Sequence, residues 1–223
     1  MIAKRTHYYA NGSHAESGMM TVTNPVTEET IGMVENMTPE TVKAAAARAR
    51  AAYVMWNARG IHNRLMLLGT FRDLLWQNQS TMIDLIRQET GKTSGGAFAE
   101  VAGIDITITW LMHNAPRVLR PEPRAALFPF LQSARVYKKP YGVAGFISPW
   151  NYPLLLSIID AIAALAAGNT VIIKPSEATP FTTLYAMDLM HTAGIPRDVI
   201  QVITGDGKTG AAQDWQFVAH FAD

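Results

Sequence analysis

The sequence is 223 residues long, 48% hydrophobic and 17% charged, a composition typical of a globular protein that buries a sizeable core. The 19 basic and 18 acidic residues give a net charge of +1, so charge alone favours neither nucleic acid nor an anionic membrane as a partner. The sequence has no cysteine, which excludes disulfides, thiolate metal ligands and a thiol nucleophile within it. A small-molecule partner fits this balance best.

No segment has the pattern of a targeting signal or a membrane span. The opening stretch MIAKRTHYYANG carries basic residues without an apolar run behind them, unlike a secretory signal. The longest apolar run, residues 154–167, contains Asp160 and is shorter than the roughly 20 residues that a bilayer requires. The 6 histidines include no pair spaced for metal binding on a helix, so no metal site is predicted. We expect a cytoplasmic protein that binds neither membrane nor nucleic acid.

Four helices are predicted in the N-terminal half. Thr38 is a favourable N-cap, with Pro39 at the first helical position and Glu40 in the first turn, where a carboxylate suits the helix dipole. Ser80 is a candidate cap of the third helix and Gly91 a candidate stop. Apolar residues at helical spacing predict one buried stripe on each helix. The stripes are Val42, Ala45, Ala49, Tyr53 and Trp56, then Leu65, Leu68, Phe71 and Leu75, then Ile83 and Ile86, and finally Val101, Ile104, Ile108 and Leu111.

The composition then shifts towards proline and arginine. The fourth helix is predicted to end before Pro116, and residues 117–129 are predicted to form a connector with little regular structure. The stretch ARVYKKP predicts a short exposed edge strand, because it contains two lysines and ends in proline. The predicted organisation is a helical part at residues 1–116, a connector with an edge strand at 117–140, and a third part at 141–223.

Strands and helices alternate in the third part. The runs GVAGFISPW, TVIIKP and DVIQVITG have strand length, and the helical runs between them are delimited by Gly168, Thr179 and Pro180. Strands without polar alternation belong to a parallel sheet covered on both faces. The predicted fold class is α/β, with N-terminal helices and a Rossmann-like, doubly wound parallel sheet. Such sheets bind ligands beyond the carboxyl ends of their strands, where this sequence places SPWN, KPSE and GDGKTG.

The stretch GDGKTG matches the G-x-G-x-x-G pattern of a dinucleotide-binding turn through Gly205, Gly207 and Gly210. Glycines at such a turn let the backbone approach a pyrophosphate at a helix N-terminus. A glycine turn into a helix, without a ligand, explains the motif equally well. A phosphate loop of the G-x-x-x-x-G-K-T kind is excluded, because its first glycine would fall on Val202.

The other two strand ends carry polar side chains. Lys174 and Glu177 can hydrogen-bond the hydroxyls of a ribose, and a solvated ion pair is the alternative. Asn151 stands at a strand-to-helix corner between Pro149 and Pro153. Its amide can donate to a developing oxyanion or can satisfy the backbone of its own turn, and the sequence pattern leaves both open.

The order of several strings resembles the aldehyde dehydrogenase family, in particular its semialdehyde and betaine-aldehyde members. The strings are ETGK, YGVAGFISPWNYPLLL, ALAAGNTVIIKPSEATP, AGIP and ITGDGKTGAA, and the resemblance runs from Asn24 to about Ala212. It implies a Rossmann-like domain that binds NAD or NADP, and oxidation of a small-molecule aldehyde to a carboxylic acid through a cysteine. It also implies that the strand RVYKK belongs to a hairpin used in oligomerisation, so we expect a homo-oligomer.

The resemblance assigns roles to residues at the predicted crevice, within a partial NAD-binding domain at residues 141–223. Asn151 matches the amide that stabilises the oxyanion, and Lys174 and Glu177 match the pair on the adenosine ribose. The implied cofactor-binding positions are Ile147, Ser148, Pro149, Trp150, Lys174, Ser176, Glu177 and Gly207. A carboxylate about 4 Å from a 2′-phosphate is repelled by about 1 kcal/mol in water, so Glu177 favours NAD over NADP as the cofactor.

The sequence departs from the family after Ala212. The ending QDWQFVAHFAD does not match the family's next helix and strand, and neither its nucleophilic cysteine nor its general-base glutamate is found. The predicted function is NAD(P)-dependent oxidation of an aldehyde, for example a semialdehyde. We expect this chain to hold only the N-terminal part of the fold and to be catalytically incomplete, through truncation or a changed reading frame. The alternative is a non-catalytic dinucleotide-binding or assembly module that partners another chain.

Overall fold

The computed structural model of the chain describes residues 18–128 and 131–207. None of the helices in these ranges is both long and apolar enough to cross a membrane. The elements in chain order are β1 (Met19–Thr23), β2 (Thr30–Glu35), α1 (Pro39–Ala58), α2 (Ile61–Gln77), α3 (Gln79–Thr90), α4 (Ser94–Val118), β3 (Glu122–Arg124), β4 (Ala134–Val136), β5 (Val143–Ile147), α5 (Leu155–Ala167), β6 (Thr170–Lys174), α6 (Pro180–Thr192) and β7 (Ile200–Val202).

Helices α1 to α4 confirm the four predicted N-terminal helices. Thr38 is the N-cap of α1, and its hydroxyl accepts the backbone N–H of Thr41 at 3.4 Å. Gly91 follows α3 in the left-handed conformation, with φ of 72°, as a helix stop requires. The four apolar stripes are buried, apart from Tyr53 and Ile83, which are half-buried. The stripes therefore form the core, as their spacing predicts.

Two predicted helix boundaries are wrong. α3 begins at Gln79, so Ser80 lies inside its first turn and does not cap it. α4 does not end before Pro116 but continues through it to Val118. A proline in the last turn removes one backbone donor, and the following turn still closes through the N–H of Leu119, which bonds to the carbonyl four residues before it at 2.9 Å.

Two antiparallel hairpins lie outside the main sheet. The predicted edge strand ARVYKKP is confirmed as β4 over its first residues, and β3, which was not predicted, pairs with it, with Pro123 opposite Arg135. The connector is therefore more regular than expected. β1 and β2 form a second hairpin that the turn-rich start of the sequence did not predict. Its turn contains Glu28 with φ of 61°, a left-handed conformation without the glycine that usually signals it.

The main sheet is parallel, in the order β5, β6, β7. All five residues of the central strand β6 are buried. Val171 and Ile173 belong to the same core as the apolar residues of α5 and α6. Ile172 and Ile203 pack instead with the apolar stripe of α1. The predicted α/β class, with a parallel sheet covered on both faces, is confirmed, and the cover on the second face comes from an N-terminal helix.

Candidate active site

The strands β5 and β6 end level with each other. Ile147 pairs with Lys174 in the parallel ladder, and the N–H of Ser148 donates to the carbonyl of Lys174 at 3.0 Å. The SPWN corner after β5 and the KPSE turn after β6 therefore begin side by side. They lie at the edge where parallel α/β sheets bind ligands.

Ser148 fastens the corner to the helices behind it. Its side chain is buried, and its Oγ lies 2.6 Å from the Oγ of Ser157 on α5. The hydroxyl of Thr183 on α6 donates to the same Ser157 oxygen at 3.0 Å. Ile147 and Trp150, in contrast, are 63% and 60% exposed. Ser148 thus anchors the corner, and Ile147 and Trp150 form an exposed apolar rim.

Asn151 and Pro149 are exposed at this corner. Within the described part of the chain, no hydrogen bond joins the Asn151 side chain to another residue. The alternative in which this amide satisfies its own turn backbone is therefore not the arrangement found. The Asn151 amide can donate to an external acceptor without first breaking a protein hydrogen bond.

Lys174 and Glu177 form a pair in which only the carboxylate faces solvent. Lys174 is 3% exposed, and its Nζ lies 3.2 Å from the carbonyl oxygen of Pro175 and 3.6 Å from a carboxylate oxygen of Glu177. The alternative of a fully solvated ion pair does not describe this lysine. A buried ammonium needs partners, and these two contacts leave it a further donor for a ligand. Ser176 closes the turn by accepting the N–H of Ala178 at 3.3 Å.

A cavity of about 380 Å³ lies against both segments, because Trp150 of the corner and Glu177 of the turn line it together. Thr179 also lines the cavity and is buried, and its hydroxyl has no hydrogen-bond partner among the described residues. β1 and the end of α3 form the remaining walls. The N-terminal hairpin thus contributes to a space beside the predicted cofactor residues.

Two buried glutamates hold the helices that follow β5 and β6. Glu100 on α4 accepts the backbone N–H groups of Leu154 and Leu155 at 3.0 and 3.1 Å, at the start of α5. Glu89 on α3 accepts two backbone N–H groups and one hydroxyl at the start of α6, at 2.6, 2.9 and 2.5 Å. Burial raises the pKa of Glu89 to about 7, although these hydrogen bonds lower it. Both helix N-termini are thereby occupied by carboxyl groups of the protein.

The third strand end carries only part of its motif within the described residues. Gly205 is buried and Gly207 is exposed, and a side chain added at Gly207 would meet no neighbour in that part of the chain. Packing against the described residues therefore does not require glycine at this position. Gly210 lies outside the described residues, so the dinucleotide fingerprint stays a prediction.

The sequence analysis missed Glu89, Glu100 and Lys92. The available signal was an acidic residue on an apolar stripe: Glu100 lies between Ala97 and Ile104 on the buried face of α4. No group of three metal-ligating side chains occurs in the ranges that the structure describes. The candidate site therefore consists of one exposed amide, one buried ammonium, one half-exposed carboxylate and an apolar rim.

Comparisons with known proteins concern the family and the fold. The model of the aldehyde dehydrogenase family matches residues 12–213. A protein of Mycolicibacterium smegmatis, provisionally named succinate-semialdehyde dehydrogenase (NADP+), is 40% identical over 171 residues, or 77% of this chain and 33% of that protein. The crystal structure of succinate-semialdehyde dehydrogenase from Burkholderia pseudomallei superimposes with a TM-score of 0.83 at 30% identity, over 87% of this chain and 40% of that one.

A third relative was solved with a cofactor. The NADP-dependent glyceraldehyde-3-phosphate dehydrogenase from Bacillus halodurans, complexed with NADP, superimposes with a TM-score of 0.79 at 29% identity, over 87% of this chain and 42% of that one. The chain thus spans about a third to two fifths of the length of these relatives. Since the family model covers most of the sequence, and the resemblance to semialdehyde members is confirmed, the chain belongs to the aldehyde dehydrogenase family.

Proposed function

We propose that this chain provides the cofactor-binding edge and the oxyanion donor of a nicotinamide-dependent dehydrogenase that oxidises a semialdehyde to a carboxylic acid. The observation that carries the proposal is the level ending of β5 and β6, from which both the Asn151 corner and the Lys174–Glu177 turn begin. The names of two relatives, both succinate-semialdehyde dehydrogenases, support the substrate class.

In this proposal Lys174 and Glu177 hold the ribose of the adenosine. The Lys174 ammonium has three donors and lies within hydrogen-bond distance of the Pro175 carbonyl oxygen alone among the described residues, at 3.2 Å. The half-exposed carboxylate of Glu177 accepts from a ribose hydroxyl. A neighbouring donor and acceptor suit a pair of adjacent hydroxyls, each of which can both donate and accept. The exposed faces of Ile147 and Trp150 supply an apolar wall.

Asn151 donates its side-chain N–H to the aldehyde oxygen as negative charge develops on that atom. A preorganised donor of this kind contributes roughly 3 to 4 kcal/mol to the transition state of acyl chemistry. Its exposure and its freedom from hydrogen bonds to other described residues support the role. The dinucleotide, when bound, supplies the hydride acceptor.

The nucleophile that the family resemblance implies, a cysteine thiolate, is not among these 223 residues. We therefore assign to this chain the binding of the dinucleotide and the stabilisation of the oxyanion, and we assign the attack on the aldehyde to a thiol outside these residues. The absence of cysteine from these residues also agrees with the second candidate function, which is a dinucleotide-binding module that acts with another chain. Formation of reduced cofactor from succinate semialdehyde by the isolated chain would contradict the assignment of the attack to an outside thiol, and it would also contradict the non-catalytic module.

We further propose that the site accepts NADP as well as NAD. The preference for NAD expected from the sequence rests on repulsion between Glu177 and a 2′-phosphate. The Lys174 ammonium lies 3.6 Å from that carboxylate and offsets its charge. Two of the relatives carry NADP in their names.

The test is calorimetric titration of NAD and NADP into the 223-residue chain. Lys174→Met should weaken both dinucleotides about tenfold or more, because a charged hydrogen bond is lost. Lys139→Met, at an exposed position after β4, is the matched control and should leave binding unchanged. Asn151→Ala should change dinucleotide affinity less than about twofold, since its role concerns the aldehyde oxygen. A folded chain that binds neither dinucleotide would overturn the proposal.

A further inference from the structure

We propose that Glu100 and Lys92 are positioning residues for Asn151: together they fix the corner that presents its amide. This inference rests on the proposed function of Asn151. It extends that function to two side chains of the N-terminal helical part that touch neither the reacting atoms nor the cofactor residues.

Glu100 supplies the cap that α5 lacks in its own sequence. Leu154 occupies the N-cap position of α5 and has no side-chain acceptor. The first hydrogen bond of this turn runs from the N–H of Leu156 to the carbonyl of Tyr152, so the N–H groups of Leu154 and Leu155 have no partner within the helix. Both donate to one oxygen, Oε2, of Glu100, which is fully buried.

Lys92 holds the other carboxylate oxygen and the residue next to Asn151. Its Nζ lies 2.6 Å from Oε1 of Glu100 and 3.5 Å from the centroid of the Tyr152 ring. A cation over an aromatic face is attracted by the ring quadrupole, and more strongly where water is excluded. The corner is therefore fixed after Asn151 by Lys92 and Glu100, and before it by the bond from Ser148 to β6.

The two carboxylate oxygens of Glu100 have different partners, and this difference gives a specific prediction. In Glu100→Gln, one face of the new amide is an NH₂ group, which must point either at the Lys92 ammonium or at the two helix N–H groups. Either choice sets donors against donors. In the double variant Glu100→Gln with Lys92→Met, the ammonium is gone, so the amide carbonyl can turn towards α5 and restore the cap.

The experiment is amide hydrogen exchange by NMR on the labelled 223-residue chain. In Glu100→Gln, the Leu154 and Leu155 amides should lose about 10- to 100-fold of their protection, as expected for loss of a hydrogen bond to a charged acceptor. The paired side-chain amide signals of Asn151 should broaden or split. The double variant should recover protection at Leu154 and Leu155, whereas its Asn151 signals should stay perturbed, because the contact between Lys92 and the Tyr152 ring is lost. Asp105→Asn, on the same helix and partly exposed, is the matched control and should change neither.

Two results would overturn the inference. One is unchanged exchange at Leu154 and Leu155 together with unchanged Asn151 signals in Glu100→Gln. The other is an equal loss of protection at Ile172 in the central strand, without rescue by the double variant, since this would reduce Glu100 to general support of the fold. Titration of NADP into the same samples separates the proposals: failure of the dinucleotide to bind overturns the proposed function and leaves the exchange result unaffected.

Discussion

The buried carboxyl of Glu89 predicts a stability that falls as the pH rises. Burial raises its pKa from 4.5 to about 7, against the opposing effect of the hydrogen bonds from Thr182 and Phe181. Below pH 4.5 the carboxyl is protonated in the folded and the unfolded chain alike. Between pH 4.5 and about 7 the folded chain keeps this proton and the unfolded chain has lost it, so unfolding releases a proton and higher pH favours it.

The size of the effect follows from the two pKa values. The rise from 4.5 to about 7 corresponds to about 3 kcal/mol of unfolding free energy in a fully buried group. Most of this, about 2 to 3 kcal/mol, should be lost between about pH 5 and about pH 8. Glu89→Gln has no proton to lose, so the stability of the wild type relative to this variant should fall by that amount over the same interval.

The assay is urea unfolding followed by tryptophan fluorescence at a series of pH values. Asp84→Asn removes an exposed carboxyl from the same helix and should run parallel to the wild type. Parallel curves for the wild type and Glu89→Gln would refute the reasoning. A wild type that gains stability over the variant as the pH rises would refute it more strongly, because the dipole of α6 would then hold Glu89 as a carboxylate.

Three further predictions concern the cofactor and the C-terminal end of α5. Glu177→Gln should raise the affinity for NADP relative to NAD by about 3- to 10-fold, because a charge facing the 2′-phosphate is removed, and calorimetric titration of both dinucleotides measures the ratio. Arg64→Met should lower the unfolding free energy in urea by about 2 to 4 kcal/mol, because a buried guanidinium that donates to the carbonyls of Ala166 and Asn57 at 3.1 and 2.9 Å is lost. Gly168→Ala should cost about 2 to 3 kcal/mol in the same assay, since φ is 101° and the new methyl would lie 2.8 Å from the Asn57 side chain. A loss below about 0.5 kcal/mol in Arg64→Met or in Gly168→Ala would contradict the explanation given for that variant.

The helices and the parallel strands could be predicted because their signals are local. Leu65, Leu68 and Phe71 recur at helical spacing, and the three apolar residues in the middle of β6 follow one another without polar alternation, so period and composition suffice. The hairpin of β1 and β2 has no such signal. Its turn uses Glu28 in a left-handed conformation, where a glycine or an asparagine would have signalled a hairpin.

The site was predicted only where it is built from neighbours in sequence. Lys174 and Glu177 share one turn, so their spacing already suggests a pair, and the structure finds them 3.6 Å apart. The partners of Glu100 lie 54 residues away and those of Glu89 about 92 residues away. Apart from the Thr182 hydroxyl, these partners are backbone N–H groups, which carry no sequence signal. The strings shared with the family include some of these residues but do not reveal their contacts. ETGK contains both Glu89 and Lys92. The string alone does not predict that Glu89 caps the N-terminus of α6 or that Lys92 contacts the Tyr152 ring.

The two helix caps also bear on where a pyrophosphate can bind. In parallel α/β folds, the phosphates of a dinucleotide bind at the N-terminus of a helix that follows a strand, where free N–H groups and the helix dipole favour an anion. At α5 and α6 those N–H groups already donate to Glu100 and Glu89. A phosphate there would lose these donors and, where the carboxyl is ionised, would meet a like charge, at a cost of about 1 kcal/mol at 4 Å in water and more where water is excluded. Of the three strand ends that the described residues place at this edge, the one after β7 is left, and it carries Gly205 and Gly207. The hydrogen bonds at α5 and α6 therefore favour the interpretation of the glycine motif as a phosphate site over a turn that binds no ligand. A Gly207→Asp variant that bound NADP with unchanged affinity would contradict this interpretation.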